Sequence, residues 1–399
     1  MLLSLAIIFL VGLSAAALFE GIGLPRIIGM LGVGIVASPY VLDLLDPNIL
    51  GISSELRQIA LIIILIKAGL SLNLSDLKKV GRPAVLMSFV PACCEIVGYV
   101  VFAPILLGVD RIEAAVMGAV LSAVSPAVVV PRMVKLIEEK WGTGKSIPQM
   151  ILAGASCDDI FVIVLFSTFV TMAQGGSAKV TDLLNIPISI VLGVLLGAVV
   201  GIGLYLLFEK SYQHKHKIRN STKVIILLGT AFLLMSIETL VKPYVALSGL
   251  LAVVAMACVV KLKTDNSVSA RLSEKFGKLW IAAEVMLFIL VGAAVDVRYT
   301  LSAGGMAVLM IFVALAFRAV GVCLCLLGTK LNAKERIFCV IAYLPKATVQ
   351  AAIGSVPLSL GLPCGKIVLS VAVLAILITA PLGAIGIDRS YMRLLDTQK

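Results

Sequence analysis

Long apolar stretches, separated by short polar segments, run through almost the whole chain of 399 residues. A helix needs about 20 mostly apolar residues to cross a bilayer. By that rule thirteen stretches are predicted to be membrane-spanning helices, which makes the chain an all-α polytopic membrane protein. Their limits are 1–19, 26–43, 54–72, 83–108, 111–137, 147–174, 183–208, 221–241, 245–262, 279–296, 303–328, 335–360 and 364–387.

Composition supports this interpretation and excludes others. Hydrophobic residues make up 60% of the chain and charged residues 14%, with a mean hydropathy of +1.12, whereas a soluble domain carries about 25% charged residues. The net charge of +11 does not indicate a nucleic-acid partner, because the basic residues lie in short loops between spans. The two histidines, His214 and His216, share one basic loop, and the eight cysteines form no CxxC pair, so no transition-metal site is predicted.

The distribution of basic residues predicts the orientation of the chain. Most of the 33 Lys and Arg residues follow odd-numbered spans or lie in the C-terminal tail. The positive-inside rule then places the N-terminus outside and the C-terminus inside. The first span contains a cleavable-looking Ala15–Ala17, but nothing basic precedes Arg26 as a signal peptide would require. We therefore expect the first span to be a true transmembrane helix.

Two adjacent carboxylates, Asp158 and Asp159, interrupt the apolar span 147–174. A charged side chain near the bilayer centre costs about 2.5–3.5 kcal/mol on insertion scales, so such residues are functional candidates by default. Neighbours on a helix point about 100° apart. One aspartate can therefore face a cavity while the other faces a neighbouring helix.

Few other ionisable residues fall inside the predicted spans. Glu95 on span 4, Arg318 on span 11 and Lys346 on span 12 join the aspartate pair to give three acids and two bases. The excess of one negative charge predicts a site for one cation or one proton. Arg318 stays charged at physiological pH and is interpreted as a structural counter-ion. Lys67 and Glu284 are interpreted as residues near the cytoplasmic side, and the pairing of acids with bases stays open.

Spans 5 and 12 contain prolines that predict interrupted helices. Span 5 contains Ser125-Pro126 and span 12 contains Pro345-Lys346. Proline removes a backbone hydrogen bond, and free carbonyls at membrane depth are tolerated where they line a cavity. The two spans occupy corresponding places in spans 1–6 and 8–13, with span 7 as a linker. This symmetry predicts inverted repeats with a transport site at the breaks.

Several stretches resemble one known family: Lys67–Leu72, Pro91–Glu95, Val124–Pro131, Ser156–Asp159 and Leu344–Gly354. The chain resembles sodium/proton antiporters of the NhaA-like fold, and among them prokaryotic relatives of the animal NHA exchangers. The resemblance implies a homodimer in the bacterial cytoplasmic membrane, without a cofactor, that serves pH homeostasis and salt tolerance. It also implies a dimerisation domain at 1–75 and 221–296, a linker helix at 183–208, and an ion-transport core at 83–174 and 303–388 with two crossing broken helices.

The resemblance implies roles for the matched positions. Asp159 would be the main ligand of the transported metal cation, Asp158 would bind ion or proton, and backbone carbonyls near the first break would help. Those carbonyls belong to Ala123, Val124 and Ser125, and the supporting residues are Glu95, Arg318, Lys346 and Thr348. Many electrogenic relatives have a lysine where this chain, like the NHA exchangers, has Arg318. The resemblance implies that Arg318 pairs with Glu95, and the missing lysine leaves the stoichiometry and electrogenicity of exchange open.

The predicted function is exchange of sodium or lithium against protons by alternating access. A carboxylate in a partly dry cavity holds either a proton or a hard cation. Because the two compete for the same carboxylate, a proton gradient can drive the cation in the opposite direction. The alternatives are a potassium/proton antiporter and an organic-anion carrier of similar architecture. An enzyme is not expected, because the GxGD motif of intramembrane aspartyl proteases and an intramembrane histidine are both absent from the sequence. No TVGYG filter motif of a channel occurs.

Overall fold

A computed structural model of the chain describes residues 1–71, 81–175, 180–213, 218–241, 245 and 247–397. Within these ranges the regular secondary structure is helical, which confirms the predicted all-α fold. His214 and His216 lie outside the described residues.

The helices follow one another with short connections. In chain order they are α1 Leu2–Gly21, α2 Arg26–Ala37, α3 Pro47–Gly51, α4 Ser53–Ser71, α5 Arg82–Met87, α6 Val90–Leu107, α7 Arg111–Leu121, α8 Pro126–Glu138, α9 Ile147–Gln174, α10 Val180–Gln213, α11 Asn220–Val241, α12 Gly249–Lys263, α13 Asn266–Ala293, α14 Val297–Cys325, α15 Ala333–Ala342, α16 Thr348–Ile353, α17 Val356–Ser359 and α18 Gly365–Leu394.

Each of the thirteen predicted spans contains helical residues in the structure. In the described part of the chain, eight helical segments are long and apolar enough to cross a membrane. They come from α1, α5–α6, α7–α8, α10, α11, α13, α14 and α18. The chain is therefore a multi-pass membrane protein.

The chain forms two compact units. The first comprises Met1–Ser54, Asn73–Gln174 and Val285–Lys399, and it contains every residue predicted for the site. The second comprises Glu55–Leu72 and Gly175–Glu284. In the second unit α10 packs closely along α12: a Cβ atom at Gly197 would lie only 2.2 Å from the carbonyl oxygen of Ala252. Small residues permit this close approach of membrane helices.

Two helices of the first unit are interrupted where the prolines predict. The first break, 122–125, separates α7 from α8, and the second, 343–347, separates α15 from α16. Pro126 is the first residue of α8, where its missing N–H and fixed φ suit the start of a helix. The breaks contact each other directly, since the Ser125 N–H donates to the carbonyl of Pro345 at 2.8 Å.

Both interrupted helices begin with a capping box. At the start of α7 the Asp110 side chain accepts from the Glu113 N–H, while the Glu113 carboxylate accepts from the Asp110 N–H. Asn332 and Glu335 make the same pair of bonds at the start of α15. A capping box satisfies backbone donors that the first turn leaves open. Each first half-helix is therefore held firmly at the end opposite the break.

Glycines bring α6 and α14 close enough for their side chains to meet. A Cβ atom at Gly321 of α14 would lie 2.7 Å from Cα of Pro91, and one at Gly98 of α6 would lie 3.0 Å from the Phe317 ring. The two helices therefore touch at their backbones. This contact places Glu95 of α6 against Arg318 of α14.

Candidate ion-binding site

The aspartate pair lies in the middle of α9, next to the first break. Asp158 is fully buried and Asp159 is 9% exposed. Asp158 Oδ2 accepts from the backbone N–H of Val124 at 2.8 Å and from Nη2 of Arg318 at 3.1 Å. Oδ1 of each aspartate is buried and has no hydrogen-bond partner among the described residues. Each aspartate therefore keeps one carboxylate oxygen open to a cation or a proton.

Arg318 is the centre of the buried network. Its Nη1 lies 2.9 Å from Oε2 of Glu95 and also donates to the carbonyl of Ser122 in the first break. Its Nε donates to the carbonyl of Tyr343 in the second break at 2.5 Å. Burying a guanidinium is tolerable only when it is paired and hydrogen-bonded. Arg318 meets that requirement by joining both breaks to two acids.

Lys346 lies in the second break, but its side chain reaches the end of α7, next to the first break. Its Nζ lies 2.7 and 2.8 Å from the two carboxylate oxygens of Glu95. The same ammonium donates to the carbonyl of Leu121, the last residue of α7. Its backbone N–H donates to Oγ1 of Thr379 on α18 at 2.9 Å. Lys346 thus places a positive charge at the negative end of the α7 dipole.

The charges of this network balance when all are ionised. Glu95 and Asp158 supply two negative charges, and Arg318 and Lys346 supply two positive ones. Asp159 forms no ion pair with the part of the chain that the structure describes. The net negative charge that the sequence predicts therefore falls on Asp159, beside a neutral cluster.

The remaining predicted residues also lie at the breaks. Ala123, Val124 and Ser125 occupy the first break, and Thr348 begins α16 after the second. All four are buried. The hydroxyl oxygens of Ser125 and Thr348 have no hydrogen-bond partner among the described residues. These hydroxyls and the open carboxylate oxygens are oxygen donors, the type of ligand that hard cations such as Na⁺ prefer.

Sequence reasoning missed two uncharged residues that hold the breaks in place. Gln350 of α16 is fully buried, and its Nε2 donates to the carbonyl of Ala123 at 2.9 Å. Thr379 of α18 accepts from the Lys346 N–H. Neither carries a charge, so the criterion of costly buried charge did not select them. Gln350 does lie inside the stretch Leu344–Gly354, which carried the family resemblance.

Lys67, which was interpreted from the sequence as a residue near the cytoplasmic side, lies in the second unit. Its Nζ is 6.0 Å from the centroid of the Trp280 ring, and its side chain is partly buried.

These features define a class of protein. A multi-pass helical membrane protein with a buried ionic cluster at two interrupted helices has the architecture of ion-coupled secondary transporters. Residues 5–389 match the family described as "Sodium/hydrogen exchanger, transmembrane". The chain belongs to the sodium/hydrogen exchanger family.

Individual relatives support the same family. The chain is 33% identical over 353 residues to "Sodium/hydrogen exchanger 9B2" of Mus musculus. This match covers 86% of this chain and 63% of the mouse protein. It is 32% identical over 379 residues to "Sodium/hydrogen exchanger 9B1" of Homo sapiens, covering 91% of this chain and 71% of the human protein. The chain thus spans 63% of the length of the mouse 9B2 relative, which is less than two thirds. This similarity agrees with the predicted relation to animal NHA exchangers.

A solved structure has the same fold. The sodium proton antiporter MjNhaP1 from Methanocaldococcus jannaschii, determined at pH 8, superposes with a TM-score of 0.83 and 20% sequence identity. The match covers 98% of this chain and 97% of that one. The helices and their order are therefore those of a known antiporter fold.

Proposed function

We propose that this protein is a secondary-active antiporter that exchanges sodium or lithium for protons at the aspartate pair. The observation that carries the proposal is the position of Asp159, a buried carboxylate beside a cluster whose charges already balance. Burial of an unpaired carboxylate is costly unless it is neutralised. A proton or a cation can each neutralise it, so the two compete for one place.

The proposed ligands are the open oxygens at the breaks. Asp159 is the main ligand of the cation, and Asp158 contributes its unpaired Oδ1. Neutral oxygens from the first break complete the site. Glu95, Arg318 and Lys346 support it by holding the breaks and their charges in place, and Thr348 supports it from the start of α16, after the second break. If only the occupied site crosses the membrane readily, a proton gradient drives the cation in the opposite direction.

The proposal includes the organisation of the whole protein. The thirteen spans cross the membrane as two inverted repeats, with the N-terminus outside and the C-terminus inside. Residues 83–174 and 303–388 form the moving ion-transport core, 183–208 the linker, and 1–75 with 221–296 the dimerisation domain. The protein works as a homodimer in a bacterial cytoplasmic membrane, without a cofactor. There it contributes to pH homeostasis and salt tolerance.

The experiment that tests this function is cation-dependent proton movement in proteoliposomes with an internal pH dye. Sodium, lithium and potassium are added in turn, with and without a clamped membrane potential. We expect a signal with sodium or lithium that is lost in Asp159→Asn, because the amide can neither ionise nor hold a cation as a carboxylate does. The response to the clamp decides whether the exchange moves net charge.

Asp110→Asn is the matched control. It makes the same chemical change in the same unit, at an N-cap position where asparagine is as good as aspartate. Exchange retained in Asp159→Asn would overturn the assignment of the main ligand. A signal with potassium alone would make the protein a potassium/proton antiporter. No signal with any of the three cations would favour the organic-anion carrier.

A further inference from the structure

One peptide group in the first break is held from both sides. The carbonyl of Ala123 accepts from Nε2 of Gln350 at 2.9 Å, and the N–H of Val124 donates to Oδ2 of Asp158 at 2.8 Å. This carbonyl and this N–H belong to the same peptide bond. A peptide group is planar and trans, so its C=O and N–H point in opposite directions. The bond between Ala123 and Val124 therefore connects Gln350 to Asp158.

The amide of Gln350 has a defined direction. A carbonyl oxygen only accepts hydrogen bonds, so the side that faces Ala123 must be the NH₂ group. Its own Oε1 is buried and has no hydrogen-bond partner among the residues that the structure describes. Gln350 is fully buried on α16, and α16 follows the second break. A donor on the helix that follows the second break thus holds a peptide group of the first break.

This arrangement turns the Ala123 carbonyl away from the Asp158 carboxylate. While Val124 presents its N–H to Asp158, the carbonyl of the same peptide lies on the Gln350 side. To face a cation bound at Asp158, the peptide must rotate by about half a turn, because its two polar groups are opposed. That rotation breaks both hydrogen bonds. The peptide lies outside regular helix, between Leu121 and Pro126, so no helical hydrogen-bond ladder prevents it.

We propose that Gln350 is a positioning residue that holds the Ala123–Val124 peptide with its N–H toward Asp158 and so lowers the affinity of the site for the transported cation. This inference rests on the proposed cation/proton exchange at the aspartate pair. With Gln350 in place, the N–H stabilises the empty carboxylate, and a cation must displace it before the carbonyl can serve as a ligand. The residue therefore helps the cation to leave.

The test compares variants that remove the donor and keep the side-chain volume. In Gln350→Met and Gln350→Leu the buried Ala123 carbonyl loses its hydrogen-bond donor. If the peptide rotates so that this carbonyl faces the cation, the carbonyl gains the cation as a partner. We expect the sodium concentration for half-maximal exchange to fall about ten-fold, which corresponds to about 1.4 kcal/mol. We expect the maximal turnover to fall as well, because the more tightly held cation leaves more slowly. Binding of ²²Na⁺ to purified protein should tighten by the same factor.

Gln149→Met is the matched control. Gln149 lies near the start of α9 and also has a buried amide oxygen without a partner among the described residues, so the substitution removes the same groups outside the breaks. Its half-maximal sodium concentration and turnover should equal those of the wild type. An unchanged or raised half-maximal sodium concentration in both Gln350 variants would overturn the proposal. Wild-type protein that neither binds ²²Na⁺ nor exchanges any cation would instead refute the proposed function.

Discussion

The two breaks look alike in sequence but are held by different means. The first break, 122–125, carries no ionisable residue and is held by side chains from elsewhere in the chain. The carbonyls of Leu121, Ser122 and Ala123 accept from Lys346, Arg318 and Gln350, respectively. The second break contains its own cation, Lys346, which neutralises the end of the first. Both breaks thus supply backbone carbonyls as hydrogen-bond acceptors, but only the second also supplies a charged side chain.

Packing adds to this difference. In the second break, Pro345 lies against α18 so tightly that a Cβ atom at Gly383 would meet Pro345 Cγ at 2.2 Å. The Lys346 N–H donates to Thr379 on the same helix. The first break is held by hydrogen bonds at the ionic cluster, whereas the second is also braced by a neighbouring helix. A change of ion or proton at the cluster should therefore act mainly on the first break.

Arg318 is the group that the two breaks share, so its removal should have the largest effect. Arg318→Met leaves Glu95 and Asp158 each without one partner and takes the donor from carbonyls of both breaks. Breaking a buried ion pair costs about 3–5 kcal/mol, and we expect the upper end of that range in the free energy of unfolding. The measurement is thermal and denaturant unfolding in detergent.

Arg318→Lys provides the comparison for that variant. It keeps the positive charge but lacks the fork of donors that reaches several acceptors at once. Its stability should lie between those of the wild type and Arg318→Met. Equal stability of Arg318→Lys and wild type would mean that only the charge of Arg318 matters.

Removal of Lys346 should have the next largest effect, since it affects one acid and one break. We expect Lys346→Met to lower the free energy of unfolding by about 3 kcal/mol, because it leaves the buried Glu95 with a single basic partner. Adding Glu95→Gln removes the unpaired charge and should recover part of the loss. A double-mutant cycle from unfolding midpoints measures this coupling. Strictly additive losses would show that Lys346 and Glu95 do not act as a pair.

The smallest effect should come from the packing that is specific to the second break. Gly383→Ala forces Pro345 to shift, and overpacking of this kind costs about 1–3 kcal/mol. Gly304→Ala on α14 is the control, because a Cβ atom there would meet nothing within 4 Å. Unfolding midpoints of the two variants give the comparison. Equal midpoints would contradict the view that α18 braces the second break.

The sequence predicted much of the fold because its signals are local. Apolar runs of membrane length located the helices, and Pro126 and Pro345 located the breaks. The costly charges Glu95, Asp158 and Arg318 marked the candidate site, and the structure brings them into contact. The burial of charge inside an apolar span can be recognised without knowing which helices are neighbours.

Only the tertiary structure decided the complete pairing of those residues. Composition left open which acid meets which base, and the family resemblance implied only the pair of Arg318 with Glu95. The packing of α6 on α14 brings Arg318 to Glu95, and the second break brings Lys346 to the same carboxylate. The tertiary structure also leaves Asp159 outside the cluster of balanced charges. The part played by Gln350 depends on two segments that are far apart in sequence, joined at the peptide between Ala123 and Val124. A neutral side chain carries no local sign of such a contact, because its hydrogen-bond partner exists only once the helices have packed.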